Sequence, residues 1–218
     1  MKYRNVIFDL DGTLLDTSRG IIESIQYTIA QTGMRELSEQ ELMAFMGPPL
    51  TGSFEKICGC SEEEAQQATG IFRSHYQKGA VFHAKPYDGI VELCRKLREL
   101  GMKIGVATNK PGRFAVPLIQ KFGLDKYIDP VFGADESGKL SKSDLIRLCT
   151  EAMGGSQADT VLIGDTVNDS AGAERAGVAF IAVTYGFGFR SAEDAAGYPC
   201  IGTADIPMQI LRILMDDF

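Results

Sequence analysis

No stretch of the 218-residue chain approaches the eighteen or so consecutive apolar residues that a membrane span needs. The N-terminal segment also lacks the charged, apolar and cleavage regions of a secretory leader, so the expected setting is the cytoplasm. Positive charge is in deficit: 22 Lys and Arg stand against 29 Asp and Glu, a formal net charge of -7. That balance argues against a nucleic-acid or anionic-membrane partner, because such surfaces are recognised chiefly by neutralising phosphates with Lys and Arg. A local basic pocket for a small molecule is still compatible with it. Histidine is scarce, His75 and His83 being the only two, and both read as packed or exposed side chains outside any mechanism. The five cysteines are an odd number in a chain too large to need staples, so they read as small apolar residues with reduced thiols. Cys58 and Cys60 are the only close pair, a poor zinc signal without nearby histidines.

What is present is an apolar content of 44%, ample for a packed core, arranged in two unlike patterns. After an opening strand through Val6, Ile7 and Phe8, residues 17 to about 82 read as helical throughout. Ile21, Ile22, Ile25 and Ile29 recur at helical spacing. Ser38 with Glu41, and Ser61 with Glu64, match capping boxes ahead of apolar faces, and Gly47, Pro48 and Pro49 break the helices between them. From Pro86 the pattern alternates. Helices are expected near 88–100, 112–122, 141–153 and 168–176, with strands KIGVAT, a short one at Val131 and Phe132, TVLIG and VAFIAV, then a further short strand and a C-terminal helix. This implies an α/β fold: a doubly wound parallel sheet covered on both faces, with an α-helical domain inserted after the first strand. The expected boundaries are 1–16 and 85–218 for the core and 17–84 for the insert.

Ligands of such sheets bind at the carboxyl ends of the strands, so residues just after each strand should gather at one edge. Those residues are Asp9 and Asp11 after the first strand, Thr108 and Asn109 after the second, and Asp165 and Asp169 after TVLIG; Lys142 opens the helix after the third strand. Carboxylates crowded together repel, and a hard divalent ion such as Mg²⁺ would relieve the repulsion. Thr108, Asn109 and Lys142 suit a phosphoryl group, and Gly12 and Thr13 would let backbone N–H groups approach it closely. Asp9 can attack phosphorus in line, and Asp11, two residues on, can move the protons. Each fragment alone admits a plainer reading. Asp-Gly is a common turn, Lys142 alone a solvated helix residue, Thr108 alone a loop hydroxyl, and Asp165 and Asp169 a turn residue and a helix cap. Their ordered arrival at one sheet edge favours the chemical reading.

FDLDGTLLDT, ATNK, the lysine of KLSKSDLI, and IGDTVND resemble the four ordered motifs of the haloacid dehalogenase-like hydrolases. The resemblance spans nearly the whole chain and implies a Rossmann-like core with a small helical cap. Within that family DxDGT marks the phosphatases, so it implies a Mg²⁺-dependent phosphatase with Asp9 as nucleophile and metal ligand and Asp11 as acid and base and a ligand through its carbonyl. It further implies Asp165 as the third protein ligand, and Asp169 as a ligand through water or a group that orients Lys142. Thr108, Asn109 and Lys142 would hold the phosphate. The nearest subgroup in pattern is the phosphoglycolate phosphatase-like proteins, and MGPPLTGSFEKI resembles their substrate loop, which brings Gly47 and Pro48 forward as substrate contacts. The expected substrate is a small phosphate monoester, 2-phosphoglycolate first, with a 5'-nucleotide or pyrophosphate as alternatives, acted on by a monomer or homodimer. A β-phosphoglucomutase-like phosphomutase is disfavoured because no arginine follows Gly47. A phospho-accepting signalling domain is disfavoured because it would lack DxDGT and the helical insert. A catalytically idle binding protein ranks last.

Overall fold

The computed structural model describes residues 2–135 and 139–215. In chain order the elements are β1 (Asn5–Phe8), β2 (Leu15–Asp16), α1 (Ser18–Thr32), α2 (Glu39–Met43), α3 (Leu50–Ser53), α4 (Glu62–Gln77), β3 (Lys85–Pro86), α5 (Ile90–Glu99) and β4 (Lys103–Pro111). They continue with α6 (Gly112–Lys121), β5 (Val131–Ala134), α7 (Lys142–Ala152), β6 (Thr160–Gly164), α8 (Val167–Ala176), β7 (Ala179–Val183), α9 (Ala192–Ala195), β8 (Gly202–Ala204) and α10 (Pro207–Met215). The chain divides into two compact units, residues 1–16 with 86–218, and Thr17–Lys85.

The first unit is built on a six-stranded sheet of order β5-β4-β1-β6-β7-β8, in which every pairing is parallel. All four residues of β1 are buried, as expected of a strand covered on both faces. Its neighbours β4 and β6 lie on opposite sides, and the chain winds outward from β1 in both directions, so β1 stands at the topological switch point. Register then decides what shares a level: Phe8 pairs with Val106 on one side and Ile163 on the other. Asp9 and Asp165 follow β1 and β6 directly, whereas β4 runs on to Pro111 and so carries Thr108 and Asn109 within the strand, just past Val106; all of them still lie toward one edge. One face of the sheet is covered by Leu145, Ile146, Cys149 and Met153 of the α7 segment with Ala173 and Ala176 of α8, packed around Ile7, Ala107 and Leu162.

The second unit is helical, but not throughout as the periodicity suggests. Gly33, left-handed at φ 69, ends α1, and Gly47 at φ 98 turns the chain between α2 and α3. Residues Phe54–Cys58 form a π-helical turn closed by Gly59. Both capping boxes are formed: Ser38 and Ser61 each accept from the backbone N–H of the residue three on, while Glu41 and Glu64 reach back. Leu42, Phe45, Met46, Phe54, Ala65, Ala68 and Phe72 are buried, and Phe45 meets Phe54 edge-on at 5.0 Å. His75 is a packed side chain. Its Nδ1 lies 3.0 Å from Ser24 Oγ and its ring stacks on Tyr27 at 4.2 Å. His83 pairs with Glu23 at 2.6 Å.

The five cysteines are unbridged. Burial pushes the Cys94 and Cys149 thiols up to about 12, so both are inert packing groups. Cys149 has a particular neighbour: a Cβ on Gly105, in the middle of β4, would fall 2.3 Å from its Sγ. Glycine is needed there because helix α7 rides close over the strand. Gly105→Ala is expected to cost about 1–3 kcal/mol in urea unfolding. Adding Cys149→Ala should cost less than the two single losses together, whereas full additivity would contradict the close approach.

Candidate active site

Asp9 follows β1 directly, its N–H donating to Ile163 O of β6 at 2.9 Å. Its carboxylate is buried, and so are those of Asp165 and Asp169, which come from the end of β6 and the first turn of α8. One oxygen from each of the three lies within 4.8 Å of the others. The sequence places them by local rules. Thr166 caps α8 with Asp169 at the third helical position, so Asp169 Oδ2 accepts from the Thr166 N–H at 3.0 Å and hydroxyl at 2.6 Å. Asp169 Oδ1 accepts from Lys142 Nζ at 2.8 Å, and the same ammonium donates to Asp9 Oδ1 at 2.5 Å. Lys142 begins α7, whose cap is Ser141, and is itself buried.

Asp165 is held differently. Its Oδ1 accepts from the Thr13 hydroxyl at 3.2 Å, and its Oδ2 from the backbone N–H groups of Phe187 and Gly188 at 2.8 and 3.2 Å. Tyr185 donates its hydroxyl to Thr13 O at 3.1 Å, tying this loop to the turn after β1. Close approach explains the glycines around it: a Cβ on Gly12 would lie 2.3 Å from Asp165 Oδ2, and one on Gly186 would lie 2.3 Å from Gly12 O. Gly12 also takes φ 84, a conformation that favours glycine. Gly12 N–H donates to Leu15 O at 2.9 Å and Thr13 N–H to Leu10 O at 3.4 Å, because the chain folds back in a tight turn after Asp11.

Asp11 stands apart from the triad. Its Oδ2 accepts from Lys110 Nζ at 3.0 Å. Thr108 is buried and its Oγ1 accepts from Lys110 N–H at 3.2 Å, while Asn109 is exposed at the strand end. Gly47 and Pro48 are exposed in the helical unit, where Gly47 serves the turn between helices. Three features of the arrangement were not picked out from sequence: Lys110, Tyr185, and the Gly186–Gly188 loop. Lys110 lay inside the ATNK motif, and alternate glycines in YGFGF directly after the strand run were the signal for the loop.

The electrostatics are dominated by crowding. Burial pushes Asp9 well above the ordinary carboxylate range; Lys142 opposes this, and Asp169, Asp165 and Asp11 reinforce it. Burial also raises Asp165, with Asp169 adding to it and the Phe187, Gly188 and Thr13 bonds resisting. Burial would lower Lys142, but Asp169 and Asp9 outweigh it and hold the ammonium above its usual range. With every carboxylate ionised, four carboxylates against two ammonium groups would leave two negative charges over. Hard oxygen donors with that excess fit a divalent cation such as Mg²⁺.

A model of the haloacid dehalogenase-like hydrolases matches residues 6–183. The chain belongs to that family. This hydrolase is similar to a 5'-nucleotidase of Pseudomonas aeruginosa, 36% identical over 86% of this chain and 86% of the relative. It is also similar to a phosphoglycolate phosphatase of Agrobacterium fabrum, 30% identical over 97% of this chain and 88% of that one. Among solved structures, a haloacid dehalogenase-like hydrolase of Streptococcus pneumoniae superposes with a TM-score of 0.90 at 27% identity, covering 98% and 99% of the two chains. The hydrolase falls with the phosphoglycolate phosphatase-like members that carry a helical insert. None of its helices, among the described residues, is long and apolar enough to cross a membrane.

The raised carboxylates have a sign. Asp9 and Asp165 keep protons in the folded metal-free protein that the unfolded chain has lost, so the stability they contribute is complete below about pH 4 and falls as pH rises through their raised values. A divalent ion competes with those protons. Adding Mg²⁺ at about a hundred times its Kd should stabilise by about 2.7 kcal/mol near pH 8, and clearly less near pH 5. Thermal melts with and without the ion check this; an equal shift at both pH values would contradict it.

Proposed function

We propose that this hydrolase is a Mg²⁺-dependent phosphomonoesterase that works through a phosphorylated Asp9. The observation that carries the reading is the buried Asp9, Asp165 and Asp169 triad with Lys142 bridging two of its members. Asp9, Asp165 and the Asp11 carbonyl would hold the ion, with Asp169 acting mainly by orienting Lys142, to which it is already bonded. The ion, when bound, supplies the positive charge that lets a phosphate dianion approach carboxylates.

In the first step a carboxylate oxygen of Asp9 bonds to phosphorus as the bond to the ester oxygen breaks, and protonated Asp11 gives that oxygen its proton. In the second, Asp11 takes a proton from water as the water oxygen bonds to phosphorus. The bond to Asp9 breaks, releasing phosphate and restoring the carboxylate. Lys142 holds Asp9 in place and offers charge to the phosphoryl oxygens. Thr108 supports the same site. Its oxygen already accepts from Lys110 N–H, so its proton is directed to another acceptor such as a phosphoryl oxygen. Asn109 would add an amide from the exposed strand end. Gly12 and Thr13 would flank the phosphate, and Thr13 also holds Asp165 through its hydroxyl. The cytoplasm, as the setting, and a small phosphate ester, as the partner, belong to the same reading, as does the role of Gly47 and Pro48 in a substrate loop.

Two substrates compete. The subgroup resemblance favours 2-phosphoglycolate, while the higher identity to the 5'-nucleotidase, 36% against 30%, favours a nucleoside 5'-monophosphate. We place the nucleotide first on that identity. Asp9→Asn is nearly isosteric and should leave the melting temperature close to that of the parent while reducing phosphate release at least about a thousandfold, in line with loss of a nucleophile. A variant that keeps more than a trace of activity would overturn the assignment. The substrates are ranked by kcat/KM over nucleoside monophosphates, 2-phosphoglycolate, pyrophosphate and β-glucose 1-phosphate. A nucleoside monophosphate is expected at the head; 2-phosphoglycolate leading by tenfold would reverse the order, and glucose 6-phosphate formed faster than phosphate would restore the mutase.

A further inference from the structure

The mechanism above leaves one buried charged group without a task. Lys110 lies at the end of β4, only 9% exposed, with Nζ 3.0 Å from Asp11 Oδ2. The strand is irregular there, its register to β5 shifting between Thr108 and Pro111, and the Thr108 hydroxyl takes the Lys110 N–H. Burying an ammonium costs several kcal/mol, and an apolar side chain would fill the same space at lower cost, so stability alone is a poor reason for a lysine. The other oxygen of its partner supplies a better one. Asp11 Oδ1 is buried and has no hydrogen-bond partner among the described residues. An unsatisfied carboxylate oxygen is destabilising and is the kind of exception that a functional site retains.

We propose that Lys110 is a positioning residue for Asp11: by holding Oδ2 it selects the carboxylate orientation that presents the partnerless Oδ1 to the oxygen leaving phosphorus. The two lysines then divide the labour. Lys142 holds the nucleophile through Asp9 and Asp169, and Lys110 holds the proton carrier. The inference rests on the acid and base reading of Asp11. In that reading the acid matters most for poor leaving groups, because p-nitrophenolate departs without a proton.

The test compares kcat/KM for p-nitrophenyl phosphate with that for the alkyl monoester that ranks highest in the substrate panel, with Mg²⁺ present. Lys110→Met should lose about tenfold or more on the alkyl ester and no more than about threefold on p-nitrophenyl phosphate. Lys110→Arg, which keeps a cation, should recover part of the alkyl rate. In an Asp11→Asn background, adding Lys110→Met should change neither rate further. Equal fractional losses on both esters, or a further alkyl loss in the Asp11→Asn background, would overturn the proposal. If Lys110→Met does not fold, Lys110→Gln is read by the same ratio. A flat leaving-group response in Asp11→Asn itself would overturn the acid role and this inference together. A sensitive Asp11→Asn beside a flat Lys110→Met would overturn the inference alone.

Discussion

Everything at the sheet edge follows from holding carboxylates closer than they tolerate. Three of them bring oxygens within 4.8 Å of one another in a buried setting. At an effective dielectric of about 20, each such pair repels by about 3–4 kcal/mol, more than an ordinary hydrogen bond returns. The fold meets this with a different partner set for each group. Asp9 and Asp169 share Lys142, Asp11 has Lys110, and Asp165 has one hydroxyl and two backbone N–H groups. These bonds fix geometry but, with every carboxylate ionised, would leave two charges over, and that remainder is what a divalent ion would take up.

Holding the carboxylates so close also dictates where side chains are forbidden. A Cβ on Gly164 would lie 2.4 Å from the Asp169 side chain, and one on Gly172 would lie 2.6 Å from the Lys142 stem. With Gly12 and Gly186, these glycines let backbone approach charged groups that would otherwise be pushed out of register. The site is thus shaped as much by missing side chains as by present ones. This is a positional demand on individual residues, unlike the pattern-level demands that build the sheet.

That difference explains what could be read from the sequence. The parallel sheet followed from alternating apolar runs, and the gathering of Asp9, Asp165, Asp169 and Lys142 from the rule that strand ends share an edge. Both depend on periodicity and order, which a single sequence displays. The backbone bonds of the turn after β1 are not legible in DGT, because the partner of a backbone N–H depends on how tightly the chain folds back. Lys110 and the Tyr185–Phe189 loop were passed over for a related reason. A lysine beside a strand end looks like a solvated residue until its burial is known, and a backbone donor carries no signature in its side chain. The helical unit shows the same limit: its capping boxes are local and legible, whereas the π-helical turn at Phe54–Cys58 has no such local mark.

Two relatives of this chain bear names for different substrates, yet both align over most of it. The arrangement at the sheet edge accounts for that. Asp9, Asp11, Asp165, Asp169, Lys110 and Lys142 all come from the unit formed by residues 1–16 and 86–218. In the proposed reading such a set suffices for cleaving a phosphate ester and contains nothing that recognises what the phosphate is attached to. Discrimination must then be supplied by residues outside it, and a change of substrate need not disturb a cluster whose balance of charges leaves so little freedom to vary. The physical constraint that makes the chemistry readable is the same one that makes the substrate unreadable from it.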